Sequence, residues 1–408
     1  MPTRVRWLSG QALDRVLDRL ARESELIAPV EVEDELLFLP VQGSAEICRD
    51  YVNSLVPPKE YFLPSPERLV SYRLENGTPT LENAGSRVPR DRVLFGIRSC
   101  DVAGVAYLER FLSGVIFGRP DTADGPFLER REATTLISVV CQEPGETCMC
   151  VCCEGGPALE SGYDWQLTEL SGGWLVEIGS ERGERLAQRC VAELLDPPAG
   201  AIEEKQSRVR ATVEHFKEHS AHRVQTMAAS RMISTGRLDE SFWTIVGARC
   251  LECGGCAFVC PTCYCFHVAD VNGPGEAAFE EPAGGFMPAA PGGITGDVRD
   301  GRWDRIRTRD CCTLSGYVRQ AGGGYPRFTC GERCLTRFFH KLSAQFQQRM
   351  ETLGCTGCGR CIQVCMGEEG IDRIAEGMRD ALTGRGRGSL SAPLAGAGPE
   401  VAAGTGKE

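Results

Sequence analysis

The sequence predicts an α+β protein: a mixed α/β N-terminal domain, then a helical C-terminal domain organised around cysteine. Three observations carry this. Over residues 1–200, short β-branched runs end in loops and alternate with amphipathic stretches. Over residues 201–235 the text becomes charged and helical. Over residues 236–380, helical periodicity surrounds the densest part of a set of 22 cysteines.

The elements follow in order. "DELLFLPVQG" and "DRVLFGIRSCDVAGV" each read as a strand running into a loop. "DVAGVAYLERFLSGV" then spaces its apolar residues as a helix does. "TTLISVVC" is a strand that delivers Cys141 to its end. "WQLTELSGGWLVEIGSERG" is a hairpin turning at Ser171, Gly172 and Gly173. In "RVRATVEHFKEHSAHRVQTM", Val209, Val213, Phe216 and Val224 form the incomplete apolar stripe of a connecting helix. His215, His219 and His222 share a face there, and no cysteine or carboxylate signature completes a metal site, so a solvated face is expected. Residues 271–301, rich in Gly, Pro and Ala, read as a flexible insertion. Residues 381–408 read as a disordered tail.

Composition excludes several classes. With 42% apolar and 25% charged residues, the 408-residue chain is long enough for more than one core. A net charge of −11 and a pI near 5.2 argue against a nucleic-acid surface. The N-terminus lacks the apolar core of a signal peptide and no run reaches the length of a membrane span, so the expected location is cytoplasmic. In a reducing compartment, clustered thiols mean metal or redox chemistry, not disulfides.

The chemistry sits in two copies of one spacing. Cys250, Cys253, Cys256 and Cys260 read C-x2-C-x2-C-x3-C, with Pro261 after the last. Cys355, Cys358, Cys361 and Cys365 repeat it, with Met366 in place of the proline. This is the spacing of bacterial-type paired [4Fe–4S] sites, in which the fourth cysteine serves the other cluster. Cluster A then takes Cys250, Cys253, Cys256 and Cys365. Cluster B takes Cys355, Cys358, Cys361 and Cys260. Gly254, Gly255, Gly357 and Gly359 let the backbone wrap closely and aim amides at sulfur. Zinc fits less well, because its sites usually use two C-x-x-C pairs per ion. The copies start 105 residues apart (355 − 250) with helical text between and after them, which favours an α-helical ferredoxin-like domain over a compact βαββαβ one. No G-x-G-x-x-G follows a strand and no phosphate-binding loop occurs, so no flavin or nucleotide site is evident.

"RCLECGGCAFVCPTCYCF", "YVRQAGGGYPRFTCGERCLTRFFHKL" and "GCTGCGRCIQVC" resemble the iron–sulfur beta subunit of cytoplasmic sulfhydrogenase-type [NiFe] hydrogenases. That family includes the A subunit of anaerobic sulfite reductase. "FGIRSCDVAGVAYLERFL", "CQEPGETCMCVCCEGGP" and "SGYDWQLTEL" resemble its first domain, so the likeness spans residues 90–375. The resemblance implies a subunit without an active site of its own. It would pass electrons between a flavin- and NAD(P)-binding subunit and the catalytic subunits of a hetero-oligomer, with a [NiFe] hydrogenase the first choice. A sulfite, heterodisulfide or acyl-CoA reductase complex is the alternative. This chain departs from the family at the long 271–301 insertion, at Cys330 and Cys334, and at Cys152 and Cys153.

Fourteen cysteines remain after the eight motif ligands. Cys100, Cys141, Cys148 and Cys150 match cysteines of the family's first domain and are expected to hold a third [4Fe–4S] cluster, with Cys152, Cys153 or Asp101 as substitutes for one ligand. A fourth cluster would use Cys312, Cys330, Cys334 and one of Cys263 or Cys265. Cys311, beside Cys312, belongs to the same surplus. Cys48 and Cys190 read as structural, and His267 and His340 as packing or hydrogen-bonding residues.

Overall fold

The computed structural model describes residues 4–75, 78–84, 91–219, 226–272, 301–317, 319–320 and 322–383. Most of the 271–301 insertion, all but the first residues of the tail, His222 and the side chain of His219 lie outside the described residues.

The chain opens with β1 (Arg4–Leu8) and α1 (Gly10–Glu23). The Ser9 hydroxyl caps α1 by accepting from the Ala12 amide, and Leu13, Val16, Leu17 and Leu20 form its buried stripe. β2 (Glu25–Val32) and β3 (Glu35–Pro40) form a hairpin that turns on Glu33 and Asp34, both left-handed. β4 (Glu67–Glu75) and β5 (Thr78–Ala84) follow, then β6 (Arg92–Ile97) running into α2 (Ser99–Leu112). α3 (Gly125–Ala133) leads into β7 (Thr134–Val139), and β8 (Trp165–Leu170) and β9 (Gly173–Ile178) make the expected hairpin before α4 (Glu181–Arg189).

Seven of these strands form one mixed sheet in the order β1-β9-β8-β7-β6-β2-β3. β2, β6, β7 and β8 are parallel, and the hairpin partners β3 and β9 run antiparallel to them. One face packs on α1 and α4 through Leu8, Leu17, Leu20, Trp165 and Leu186; the other packs on α2 and α3 through Leu94, Val105, Leu108 and Phe127. Because β6 and β7 are parallel neighbours, the loops leaving their carboxyl ends open on the same edge. Cys100, in the first turn of α2, and Cys141, in the loop after β7, sit at that edge.

α5 (Ala201–His219) packs on β8 and β9 and leads to the helical region. There α6 (Thr226–Ser234), α7 (Glu240–Arg249), the one-turn α8 (Gly255–Phe258), β10 (Phe266–Asn272), β11 (Arg302–Arg309), α9 (Cys330–Leu342), α10 (Ala344–Met350), the one-turn α11 (Arg360–Gln363) and α12 (Ile371–Thr383) follow. Thr329 and Glu332 form a reciprocal capping box on α9. Ser343 ends α9 and caps α10, so the helical text ahead of the second motif folds as two helices. Ile233, Trp243, Val246, Phe338, Leu342, Ile374 and Met378 form the core of this region.

The split at residues 200 and 236 needs correction in one respect. A second, four-stranded antiparallel sheet has the order β10-β11-β4-β5, so it joins strands from both halves of the chain. The C-terminal region is therefore not purely helical. The buried Arg307 explains the join: it pairs with Glu67 and Asp124, and a buried guanidinium must be neutralised. β10 ends and β11 begins on either side of residues 273–300, so that segment connects two paired strands. No described helix is long and apolar enough to cross a membrane.

Candidate metal centre

The two motifs share one local design. After the second cysteine comes a left-handed glycine, Gly254 at φ 75° or Gly359 at φ 77°. Each starts a single helical turn, α8 or α11, that carries the third cysteine, Cys256 or Cys361. The fourth cysteine follows the turn. Glycine is required because a side chain in this backbone region is strained. At Gly359 a Cβ would also lie 2.4 Å from the Thr147 carbonyl oxygen. Backbone amides aim at sulfur: Gly357 N–H donates to Cys355 Sγ at 3.4 Å and Glu369 N–H to Cys365 Sγ at 3.2 Å.

The structure brings Cys260 to the second motif. It raises the pKa of Cys358 and of Cys361, where burial is the main cause and carries each thiol to about 12. Cys256 is pushed up to about 11 by burial, which Arg337 opposes and to which Cys311, Cys365 and Cys250 add. Cys365 thus stands with the first motif. Cys253 is the most open of the eight, whereas Cys358 is buried.

The N-terminal thiols lie against the second motif. Met149 N–H donates to the Gly357 carbonyl at 2.8 Å, and a Cβ on Gly357 would stand 2.5 Å from the Cys150 backbone. Cys148 and Cys150 are buried and Cys141 is half-buried. Burial raises the Cys150 thiol, with Cys148 and Cys141 adding; burial and then Asp101 raise Cys100, which Arg360 opposes and to which Cys358 and Cys150 add. Asp101 is engaged elsewhere, in a bidentate pair with the fully buried Arg360 at 2.6 and 3.0 Å. It therefore does not serve as a substitute ligand. Cys153 Sγ stands 3.9 Å from Cys355 Sγ, and Cys152 is half-buried one residue away.

The surplus set of Cys312, Cys330, Cys334 and Cys263 is not one group, which corrects that expectation. β10 and β11 pair antiparallel from Phe266 with Arg309, and Asp310 N–H donates to the Cys265 carbonyl. The open end of that hairpin therefore sets Cys263 and Cys265 beside Cys311 and Cys312. Cys330 and Cys334 lie instead on the first two turns of α9, against Cys250. Among the others, Cys190 is buried in the sheet core and Cys48 donates to the Asp50 carbonyl at 3.5 Å. His267 faces Asp310 and Thr308, and burial lowers His340 to about 4.

Sequence reasoning missed three buried cations. Lys341 Nζ donates to Thr262 Oγ1 at 2.6 Å, and Lys59 Nζ donates to the carbonyls of Cys260 and Cys263. Arg337 is 3% exposed and its Nε has no hydrogen-bond partner among the described residues. Among the described residues none of the three forms a salt bridge with a carboxylate, unlike the buried Arg307, Arg333 and Arg360. Burial works against the Arg337 charge, but Cys256, Cys361, Cys263 and Cys260 outweigh it and hold its pKa well above the ordinary value. Lys341 is likewise raised against its burial by Cys260 and Cys263. Uncompensated buried cations are costly. An anionic cluster bound by thiolates neutralises them, so the residues present fit that group. The spacing of Cys330, Cys334, Arg337 and Lys341, one face of a helix, was the available signal; Lys59 had none.

The family model for a 4Fe-4S dicluster domain matches residues 249–281 and 294–369. The Sulfhydrogenase 2 subunit beta of Pyrococcus furiosus is 26% identical over 382 residues, which cover 92% of this chain and 98% of that protein. No solved structure matches the chain. Dicluster motif, buried cations and a likeness over most of the chain agree: the chain carries a C-terminal 4Fe-4S dicluster domain and is similar to a sulfhydrogenase beta subunit.

Proposed function

We propose that this chain is the electron-transfer subunit of a hydrogenase-type complex. It relays electrons between a flavin- and NAD(P)-binding subunit and the catalytic subunits, which are those of a [NiFe] hydrogenase. Cys250, Cys253, Cys256 and Cys365 hold one [4Fe–4S] cluster, and Cys355, Cys358, Cys361 and Cys260 hold the second. Cys100, Cys141, Cys148 and Cys150 hold a third. Each cluster supplies a one-electron acceptor and donor. The residues around them do the rest: amides and buried cations stabilise the added electron, and packed apolar side chains keep water away.

The observation that carries this reading is the set of buried cations that have no carboxylate partner among the described residues and are aimed at cysteines of both motifs. The packing of the Met149 loop on Gly357 supports a path from the parallel-sheet domain to the second motif, and from there to the first. Iron and acid-labile sulfide on anaerobically purified chain test the count. About 12 of each per chain is expected, falling to about 8 in Cys148→Ser with the remaining spectra retained. A value of about 8 in the unaltered chain removes the third cluster, and none removes the reading. Co-purification from the native host tests the partners: a flavoprotein and a nickel-containing large subunit are expected.

A further inference from the structure

α7 and α9 meet backbone to backbone. A Cβ on Gly247 would lie 2.5 Å from the Gly331 amide nitrogen, and one on Gly331 would lie 2.4 Å from the Trp243 carbonyl oxygen. Two glycines thus let the first turn of α9 press against the end of α7, where Cys250 follows. The result is a compact triad: one sulfur from each of Cys250, Cys330 and Cys334, all within 4.8 Å of one another. Cys334 is buried and the other two are half-buried.

That spacing decides between two kinds of site. Thiolates that terminate a cube each cap a different iron, so their sulfurs are spread around the cluster. Thiolates on one tetrahedral ion, at about 2.3 Å from the metal, lie about 3.8 Å apart. The triad matches the second geometry after a small side-chain rotation. Its donors are all soft, because the nearby Glu252 carboxylate is engaged by Arg333 at 2.6 Å. An all-sulfur set selects a thiophilic ion over calcium, magnesium or manganese. Cys330 is the first residue of α9 and Cys334 lies one turn on, so the two sulfurs share one face of the helix.

We propose that Cys250, Cys330 and Cys334 form a three-thiolate site for a single closed-shell thiophilic ion of the zinc class. Of the three, Cys330 also lines a cavity of about 890 Å³ with Trp243, Thr329, Leu335 and Phe339, which leaves room for a fourth ligand on that side. Three protein ligands with an open fourth position are the arrangement of a zinc site able to take an exogenous ligand. Cys250 also begins the first motif, and a thiolate sulfur has the lone pairs to bridge two metals, so the ion and the iron cluster are compatible. The site does not depend on the electron-transfer reading.

The test uses full-length, anaerobically purified chain dialysed against Zn²⁺ and then against a weak chelator. Iron, sulfide and zinc are counted together, and the zinc X-ray absorption edge reports its neighbours. About one zinc per chain with a sulfur-dominated shell is expected. In the Cys330→Ser/Cys334→Ser double variant zinc retention should fall at least tenfold with iron and sulfide unchanged. Zinc absent from the unaltered chain, or held by oxygen and nitrogen alone, overturns the proposal. So does zinc retained in the double variant, which places it on other cysteines. Iron lost together with zinc makes the pair cluster ligands and overturns it too. If the double variant fails to fold, the spectrum of the unaltered chain and the single Cys330→Ser variant at the half-exposed position decide. Normal zinc with no iron would break the proposed function and leave this site standing.

Discussion

The two cysteine motifs have the same backbone and different surroundings. Both use a left-handed glycine and a one-turn helix to present their cysteines. The first is open: Cys253 is exposed, and its neighbours are Glu252, the Arg249–Glu369 pair and the extra thiols of α9. The second is enclosed: the Met149 loop covers it, Arg360 locks it to α2, and Lys341 and Lys59 face Cys260, which the proposed ligand sets assign to it. The difference teaches that ligand spacing builds a cluster site, while charge and burial set how readily it takes an electron. On the proposed ligand sets, the second cluster is the more easily reduced.

The largest effect belongs to the lock. Arg360→Met leaves Asp101 buried without its partner and should cost about 3–5 kcal/mol, read by chemical denaturation of the loaded chain. The equivalent position in the first motif is Gly255, where an added Cβ meets Val364 at 3.3 Å and Cys253 Sγ at 3.7 Å. Gly255→Ala should therefore be nearly neutral; equal losses would erase the distinction between the motifs.

Glycine replacement comes next. Gly359→Ala drives a Cβ into the Thr147 carbonyl, whereas Gly254→Ala meets a Phe258 ring edge at 2.8 Å that can swing aside. Both pay the left-handed penalty of about 1–2 kcal/mol. Only the first should also undock the loop holding Cys148 and Cys150, seen as faster proteolysis of the N-terminal half.

Potentials sharpen the comparison further. Lys341→Met removes a buried positive charge beside Cys260, which disfavours the reduced cluster. An electron-paramagnetic redox titration should show one centre shifted negative by roughly tenfold in its reduction equilibrium, about 59 mV for one electron, while the other stays put. A shift shared equally by both centres would mean that the cation serves the pair as a unit.

The smallest effect is on pH. Burial holds His340 neutral with its pKa lowered to about 4. The unfolded chain then binds the proton more tightly, so stability is intact above about 6.5 and declines as pH falls toward 4. Denaturation midpoints across that window should flatten in His340→Gln, if the decline starts from this end of α9.

Much of the site was legible in the text. Cys250 through Cys260 and Cys355 through Cys365 are local patterns, and thiol spacing over a tight turn is a local property. "TTLISVVC" and "DRVLFGIRSC" announced strands ending in cysteine for the same reason. What stayed hidden were relations between distant segments. Cys330 and Cys334 were expected beside Cys312, and the Gly247–Gly331 contact sends them to Cys250. Lys59 lies 201 residues from the Cys260 carbonyl it serves. The four-stranded sheet crosses the expected boundary because Arg307 needs Glu67 and Asp124.

The sequence by itself determined the chemistry: two repeated four-cysteine motifs, and a strand-and-helix domain ahead of a cysteine-rich helical one. The tertiary structure decided which thiols stand together and which cations face them. The reason is physical. Ligand spacing is written within a few residues, whereas the neutralisation of a buried charge is a demand that any part of the chain can meet, and only the fold selects which part does.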